Sequence, residues 1–352
     1  MQAITQHQYG APNVLKLNTV TPPTIGPHEV LIEVHASPVT QGDRRLRAAD
    51  FPGIAKLFGR LMVGLTRPKN TIPGTMFAGR IADVGTSVTR FKPGDRVFGS
   101  SLNGGAWAEF LVMPEGGELA HMPQGFGYDE ACTLPYGGLT ALVFLRDFGQ
   151  IAAGQRVAIV GASGGVGQFA VQLAHHIGAE VTAVCSRDHA RVRALGASEV
   201  IDYRVEDFTD GGRRYDIIFD TSGTLRWSQC RHALTPQGRY LSLYLTAELL
   251  FRMAVTSWSQ GRKALGGVAL GTAELLEELR RLAEQGAFRP IIDSDYPLSH
   301  TVQAHARLEQ GGTFGSVVVH VSSNPEERLA ADNQAYNPLG HRPIEGGVAS
   351  AI

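Results

Sequence analysis

The order of hydrophobic and polar positions changes once along this chain. Up to about residue 124, short β-rich runs such as Val30 to Ser37, Ala78 to Gly85 and Asp95 to Ser100 are bounded by glycine and proline. No helical pattern alternates with these runs, which predicts an antiparallel, barrel-like unit. From about residue 125, apolar runs alternate with amphipathic segments, which predicts a parallel sheet with helices on both faces. The pattern therefore predicts an α/β protein with two differently built domains.

The last part of the chain adds a helix, a strand–helix–strand unit and a polar end. The pattern of residues 274–286 predicts an amphipathic helix, because leucines recur at helical spacing and Gly286 is a stop signal. A strand, a helix and a strand are predicted to follow, up to residue 321. Residues 323–352 are polar and small with little periodicity, which predicts a disordered tail.

Length, charge and cysteine content narrow the class of protein. The 352 residues exceed one ordinary core, which again favours two domains, and the net charge of −1 gives no general attraction to nucleic acid. The N-terminus lacks the features of a signal peptide, and no apolar run approaches the ~18 residues of a membrane span. Cys132, Cys185 and Cys230 are too far apart for a disulfide framework or a four-thiolate zinc site. We therefore expect a protein of a reducing compartment, the cytoplasm.

A glycine-rich turn joins the apolar run Arg156–Val160 to an amphipathic segment. Its register, Ala162-x-Gly164-x-x-Gly167, is a dinucleotide fingerprint with alanine in place of the first glycine. Gly164 would let the backbone approach a pyrophosphate, and Gly167 would let the helix pack close to the strand. The alternative is a turn that binds no nucleotide. The predicted phosphate-binding residues are Ala162, Ser163, Gly164, Gly165, Val166 and Gly167.

The next apolar run, Val181–Ser186, does not end in an acid. NAD sites usually place Asp or Glu about 20 residues past the glycines, but Ser186 and Arg187 stand here. A guanidinium suits a 2′-phosphate, so we expect NADPH as the cofactor, with Arg191 and Tyr203 completing the pocket. Asp188 could instead serve as the acid that binds the ribose, so NADH remains an alternative cofactor. Arg191 could also be a solvated helix residue.

These features occur within a longer series of matches in the same order. ASPVTQGDRRLR, IPGTMFAGRIADVG, FKPGDRVFG and LGASEVIDY are among nine stretches at family-like spacing. With them, residues 1–321 resemble the medium-chain dehydrogenase/reductase superfamily, and the zinc-free quinone oxidoreductase-like branch looks most similar. The resemblance implies a GroES-like β-barrel domain built from residues 1–124 and 290–322. It also implies a Rossmann doubly wound parallel sheet, the dinucleotide-binding domain, in residues 125–289.

Departures from the zinc-dependent members of this superfamily predict that no metal is bound. Those members carry a cysteine near the third strand and a Gly-His-Glu motif further on. At the matching positions this chain has Thr40-Gln41-Gly42-Asp43 and Gly74-Thr75-Met76-Phe77. The four-cysteine lobe is also absent from the matching stretch GSSLNGGAWAEF. His175 and His176 are adjacent on a predicted helix, so they point in different directions and are poor joint ligands.

The resemblance implies an NADPH-dependent, zinc-independent oxidoreductase. Without a metal to polarise the substrate, we expect acceptors that are already electrophilic, namely quinones or α,β-unsaturated carbonyls. A metal-free carbonyl reductase or alcohol dehydrogenase, and a low-turnover NADPH-binding sensor or structural protein, remain alternatives. The Tyr136 phenol is a possible proton donor, or its ring only packs. The Asp43 side chain could hold the structure of its own loop. By resemblance, the nicotinamide pocket would include Thr40, Gln41, Asp43, Tyr136 and Thr140.

Two stretches combine apolar residues with scattered Arg and Lys. Residues 51–70 and 248–266 are open to four interpretations: a lipophilic substrate cover, a subunit interface, a membrane-touching patch, or packing between the domains. The resemblance also suggests a homodimer formed by edge pairing of the Rossmann sheets.

Overall fold

The described residues form two large sheets and a small hairpin-like pair, β1 (Gln2–Thr5) with β2 (Lys16–Thr19). The computed structural model describes residues 1–51, 59–61 and 63–322. The predicted tail, residues 323–352, lies outside the described residues, as do residues 52–58 and 62 of the segment 51–70.

The first sheet has seven strands and takes them from both ends of the chain. All its pairings are antiparallel except the parallel pair formed by its last two strands. Alternate residues of the longest strand, such as Val30, Ile32 and Val34, are fully buried, as expected for a sheet with one face on the core. The strands are β3 (Glu29–Val39), β4 (Met76–Val84), β5 (Arg96–Ser100), β6 (Phe110–Pro114), β7 (Leu119–His121), β14 (Ile292–Pro297) and β15 (Ser316–His320).

The second sheet has six strands, and every pairing in it is parallel. Its spatial order, β10-β9-β8-β11-β12-β13, is that of a Rossmann sheet, which reverses direction of winding next to β8. Near-continuous apolar strands such as Arg156–Val160 suit this sheet because both faces are covered. The α/β fold is confirmed. The strands are β8 (Arg156–Val160), β9 (Glu180–Val184), β10 (Glu199–Ile201), β11 (Tyr215–Asp220), β12 (Leu234–Ser242) and β13 (Lys263–Gly266).

Helices cover the parallel sheet and fill the junction between the two sheets. The helix predicted from residue 274 runs over Ala273–Glu284, buries Leu276 and Leu279, and is followed by Gly286 with a φ of +82°. The α-helices whose bounds the structure describes are α1 (Gln41–Ala48), α2 (Tyr128–Ala131), α3 (Leu139–Leu142), α4 (Gly167–Ile177), α5 (His189–Ala194), α6 (Trp227–Cys230), α7 (Ala247–Ser257), α8 (Ala273–Glu284) and α9 (Thr301–Gln310). π-Helical turns flank α3 on both sides, at Leu134–Gly138 and Val143–Phe148.

The helix α1, in the described part of the chain, contradicts the expectation that no helix interrupts the strands of the first third. α1 lies between β3 and β4, and its first turn is closed by a capping box between Thr40 and Asp43. The sequence carries this signal as Thr-x-x-Asp, but the stretch is too short to show a clear period. This helix matters because its first residues line the cleft described below.

A buried glutamine ties the parallel sheet to the end of the first sheet. The side-chain oxygen of Gln168 in α4 accepts the backbone N–H of Ile291 at 2.7 Å, and Gln168 is fully buried. The chain re-enters the antiparallel sheet just after this point, with β14. On this basis we propose the expected domain limits, 1–124 with 290–322 and 125–289.

Candidate active site

A cleft of about 940 Å³ lies between the two sheets. The carboxyl end of β8 and the following glycine turn form one wall, and the start of α1 forms another. Ligands of open α/β sheets bind outside the carboxyl ends of the strands, where the winding reverses. The cleft therefore lies where a dinucleotide would be expected.

The glycine turn after β8 forms a cradle without side chains at its centre. The nearest atom to a Cβ at Gly165 would be the carbonyl oxygen of Gly315, 3.8 Å away, and Gly164 lines the cleft beside it. A Cβ at Gly167 would instead collide with the carbonyl oxygen of Gly161 and lie 2.8 Å from the Cα of Ala162. Gly167 is thus needed where α4 crosses the strand end, and Gly164 and Gly165 leave space for a pyrophosphate. This geometry fits a bound dinucleotide.

The amides of the same turn are available to a phosphate. Within the part of the chain that the structure describes, the N–H groups of Gly165 and Val166 have no backbone acceptor. They lie directly before α4, a helix of 11 residues whose dipole favours negative charge at this end. The N–H of Gly315 donates to the carbonyl oxygen of Ser163 at 2.9 Å, so a loop of the first sheet's domain closes over the turn.

The far end of the cleft has the two residues expected to read a 2′-phosphate. Ser186 and Arg187 follow β9 and line the cleft, together with Tyr203, which is 60% exposed. The Arg187 guanidinium lies against Gly312 of the opposite domain, where a Cβ would overlap it. This cation therefore spans the mouth of the cleft.

Asp188 and Arg191 are not in the described lining of the cleft. The two side chains are 3.6 Å apart, and the Arg191 guanidinium stacks 3.9 Å from the ring centroid of Phe314. Arg204, which directly follows Tyr203, donates from its guanidinium to the carbonyl oxygen of Ser186 and to the carboxylate of Asp202. It too is outside the described lining of the cleft.

At the other end of the cleft, Thr40 and Thr75 lie in the two stretches that match the zinc-ligand motifs of the zinc-dependent superfamily members. The hydroxyls of Thr40 and Thr75 donate to the two oxygens of Asp43, at 2.6 and 2.9 Å. Asp43 is only 3% exposed and does not line the cleft, so it holds the two threonines from inside the protein. Burial raises the pKa of this carboxyl, and the hydrogen bonds from Thr40 and Thr75 oppose the rise.

Tyr136 stands across from this network, on the π-helical turn before α3. Its side chain lines the cleft, as do Gln41 and Thr140. Burial raises its pKa to about 12, against the opposing effects of the Arg45 guanidinium and the Gly42 backbone. The phenol therefore stays protonated at neutral pH and can donate a hydrogen bond. Since the Thr40 proton points to Asp43, Tyr136 is the better placed donor.

The residues at this end do not fit a metal ion. Among the described residues, no three His, Cys, Asp or Glu side chains come together in a way that could hold one. Thr40 and Thr75 provide neutral hydroxyls where a thiolate or imidazole would be needed, and both are engaged by Asp43. His175 and His176 are exposed on α4, away from the cleft lining.

The structure thus divides the predicted site residues into two groups. Asp43, Ala162, Gly167 and Arg191 are outside the described lining, and Ala162 is fully buried. The cleft brings together Thr40, Gln41, Tyr136, Thr140, Ser163, Gly164, Gly165, Val166, Ser186, Arg187 and Tyr203.

Comparison with known proteins agrees with the fold. Residues 26–124 match the family model of the alcohol dehydrogenase GroES-like domain, and residues 195–319 match that of zinc-binding dehydrogenases. The chain is 31% identical to NAD(P)H oxidoreductase RTN4IP1, mitochondrial, of Mus musculus, with 91% of this chain and 89% of the relative covered. It is 32% identical to quinone-oxidoreductase QR1, chloroplastic, of Triphysaria versicolor, over 91% of this chain and 98% of the relative.

A solved structure shows the same architecture. The quinone oxidoreductase from Coxiella burnetii superposes with a TM-score of 0.80 at 29% identity, covering 92% of this chain and 99% of that one. The protein therefore belongs to the medium-chain dehydrogenase/reductase superfamily, in its quinone oxidoreductase-like branch. The expected GroES-like domain is confirmed. The chain is an NAD(P)H-dependent oxidoreductase of this quinone oxidoreductase-like type.

The described residues of the two basic, apolar segments contribute little to the lining of the cleft. Phe51 lines it, but none of its described lining residues comes from 248–266, although 267–271 do. Phe251, Val255 and Trp258 in and after α7 are 60, 50 and 92% exposed, whereas Leu249 is buried. Packing between the domains therefore does not account for these three exposed side chains. No helix in the described ranges is long and apolar enough to span a membrane.

Proposed function

We propose that this protein is a zinc-independent NADPH-dependent reductase of quinones or α,β-unsaturated carbonyls. The observation that carries the proposal is that one cleft contains both a phosphate cradle and a protonated phenol. Gly164 and Gly165 lie in the cradle, and Tyr136 lies at the wall near Thr40. When bound, NADPH supplies the hydride, and the protein has to position the acceptor and stabilise the negative charge that develops on it.

The chain's own groups suit these two tasks. The amides at the start of α4 and the Arg187 guanidinium would hold the phosphates, and Arg187 with Ser186 favours the 2′-phosphate of NADPH over a free ribose. The Tyr136 hydroxyl would donate to the carbonyl oxygen of the acceptor, where charge accumulates. Solvent would deliver the final proton, so that the Tyr136 phenol keeps its own.

The hydroxyl network supports zinc independence. Asp43 engages the hydroxyls of Thr40 and Thr75, so those two positions offer no thiolate or imidazole to a metal. Without a Lewis acid, unactivated alcohols are poor substrates, whereas quinones and enones are electrophilic already. The relatives' names, which include quinone oxidoreductases, point the same way.

The test is cofactor oxidation by the purified protein. NADPH and NADH are each offered with a quinone, an enone and an aldehyde, with and without a chelator. We expect NADPH loss with the quinone or enone and no effect of the chelator. Oxidation of NADPH only with the aldehyde would instead indicate a metal-free carbonyl reductase. NADPH binding without turnover would indicate a sensor or structural role. Inhibition by the chelator would contradict zinc independence.

We further propose a homodimer formed along β13. Among the described strands, β13 is the last of the parallel sheet and pairs with β12 on one side only. The exposed Phe251 and Trp258 belong to the segment before it. An edge strand beside exposed apolar side chains is a natural pairing surface. Light scattering after size exclusion should give twice the mass of 37.8 kDa. A monomer at micromolar concentration would contradict the proposal.

The cytoplasm stays our proposed location. Cys132, Cys185 and Cys230 are all free and buried, which suits a reducing compartment. Two relatives carry the words mitochondrial and chloroplastic in their names. Fractionation of cells that express the tagged chain would decide, and recovery in an organelle would overturn the proposal.

A further inference from the structure

α1 carries three arginines that differ in what they contact. Arg44 donates to the side-chain oxygen of Gln41 at 3.1 Å and lies 3.6 Å from the carboxylate of Asp50. Arg47 is buried and donates to the carbonyl oxygen of Gly10 at 3.0 Å, and it also pairs with Glu309. Both therefore have structural partners.

The side chain of Arg45 has no hydrogen-bond or ion-pair partner among the described residues. It is half-buried, and its side chain lines the cleft. Its guanidinium lies 4.5 Å from the ring centroid of Tyr244, another lining residue, and its charge acts on the Tyr136 hydroxyl. Among the described residues, no carboxylate lies within ion-pair distance of it, and no side-chain hydrogen bond from it is formed. The cation is held by an aromatic face, and none of the described residues accepts a hydrogen bond from its guanidinium.

The acids that line the cleft are engaged elsewhere. Glu118 accepts a hydrogen bond from Ser100, and burial raises its pKa. Glu206 pairs with Arg213, and Asp207 accepts from the Thr209 hydroxyl. A partly desolvated guanidinium without a counter-ion is costly, and a planar oxyanion is its best partner. The described residues thus supply no negative charge that could pair with Arg45 at this end of the cleft.

Resting on the proposed reductase function, we infer that the natural acceptor carries a carboxylate, which Arg45 binds. The acceptor would place its reactive carbonyl at Tyr136 and its carboxylate at Arg45, since both side chains line the same end of the cleft. The planar fork of the guanidinium can bind both carboxylate oxygens at once. Arg45 is a specificity-determining residue in this arrangement, and the phosphates of the cofactor are bound by the glycine turn and Arg187.

A matched pair of enones tests this inference. 4-Oxo-4-phenyl-2-butenoate and its methyl ester share the same aryl enone, but only the acid is charged. The ester group withdraws more electron density than the carboxylate, so a preference for the acid would have to come from binding. We expect the protein to prefer the acid in kcat/KM, and Arg45→Gln to lower kcat/KM for the acid by about 10- to 100-fold. The ester should change less than about twofold. Arg45→Lys should retain part of the preference, because it keeps the charge but not the fork.

The control is Arg231→Gln, which removes the same charge from an exposed position outside the cleft lining. It should leave both substrates unaffected. Equal losses for acid and ester in Arg45→Gln, or no preference for the acid in the unaltered protein, would overturn the inference.

A binding experiment separates this inference from the proposed function. The saturated acid, 4-oxo-4-phenylbutanoate, and its methyl ester are titrated calorimetrically into the protein with oxidised cofactor. Binding of the acid that is lost in Arg45→Gln would support the anion site even if no acceptor were reduced. Equal affinity for acid and ester would refute the site even if quinones were reduced.

Discussion

The hydroxyl of Thr40 donates a hydrogen bond of 2.6 Å to the carboxylate of Asp43, and the backbone N–H of Asp43 donates to the Thr40 hydroxyl oxygen at 3.1 Å. The backbone N–H of Thr40 also reaches the carboxylate, at 2.9 Å. This capping box closes the first turn of α1 and fixes the Thr40 side chain at the wall of the cleft. Asp43 therefore acts on the site through another residue.

Asp43→Ala should destabilise the protein, because it leaves the Thr40 amide and the hydroxyls of Thr40 and Thr75 without their acceptor. An unpaired buried donor costs about 1–3 kcal/mol, so we expect the free energy of unfolding to fall by about 3 kcal/mol. Denaturant unfolding would measure this. Asp43→Asn keeps one acceptor oxygen and should lose less; equal losses in the two variants would contradict the hydrogen-bond account.

Arg187→Glu should raise the Kd for NADPH by about 10- to 100-fold, because it replaces a charge-assisted contact to the 2′-phosphate by repulsion. NADH has no such phosphate, so its Kd should change much less. Cofactor fluorescence would measure both. Arg193→Glu, on the exposed part of α5, is the charge-matched control and should affect neither. Equal weakening of both cofactors would show that Arg187 does not read the 2′-phosphate.

Tyr136→Phe should lower kcat by about 100-fold if the phenol donates to the developing oxyanion. The Kd for the cofactor should stay the same, because the hydroxyl is not placed at the phosphates. The pKa of about 12 also predicts that activity at pH 10 shows no loss from ionisation of this phenol. Stopped-flow reduction over pH 6–10 would measure this. Full kcat in the variant would mean that the Tyr136 ring only packs.

His305 should make the protein less stable in acid. Its Nδ1 lies 2.8 Å from the Arg47 guanidinium, and burial together with that charge lowers its pKa to about 3. The unfolded chain binds a proton near pH 6.5 and the folded one does not, so stability is present above pH 6.5 and is lost as pH falls toward 3. The loss approaches ~1.4 kcal/mol per pH unit. His305→Gln should flatten the dependence between pH 6 and 4; an unchanged slope would contradict this origin.

The sequence alone revealed much of the fold, because its signals are local. The alternation of strand and helix after residue 125 follows from apolar periodicity, and it appears as the six-stranded parallel sheet. The glycine turn was found because only glycine permits the close approach of α4 to the end of β8. Strand-rich patterning before residue 124 indicated an antiparallel sheet, but a helix as short as α1 leaves little periodic signal.

The placement of side chains across the cleft could not be found in this way. Sequence places Arg45 beside Arg44 and Arg47 and offers no reason to distinguish them. In the structure, helical rotation directs Arg44 and Arg47 to partners and leaves Arg45 over Tyr244, about 200 residues away along the chain. Arg187 and Gly312 likewise meet only because the end of the chain returns to the first sheet.

The residues by themselves therefore determined the class of fold, the phosphate-binding turn and the absence of the family's zinc ligands. Each depends on the chemistry of neighbouring residues: a period, a missing side chain, or a changed ligand. The tertiary structure decided which groups share one cleft, which hydroxyls Asp43 engages and which cation is left without a counter-ion. Those are relations between distant parts of the chain, and they depend on distances and burial that arise only when the two sheets pack together.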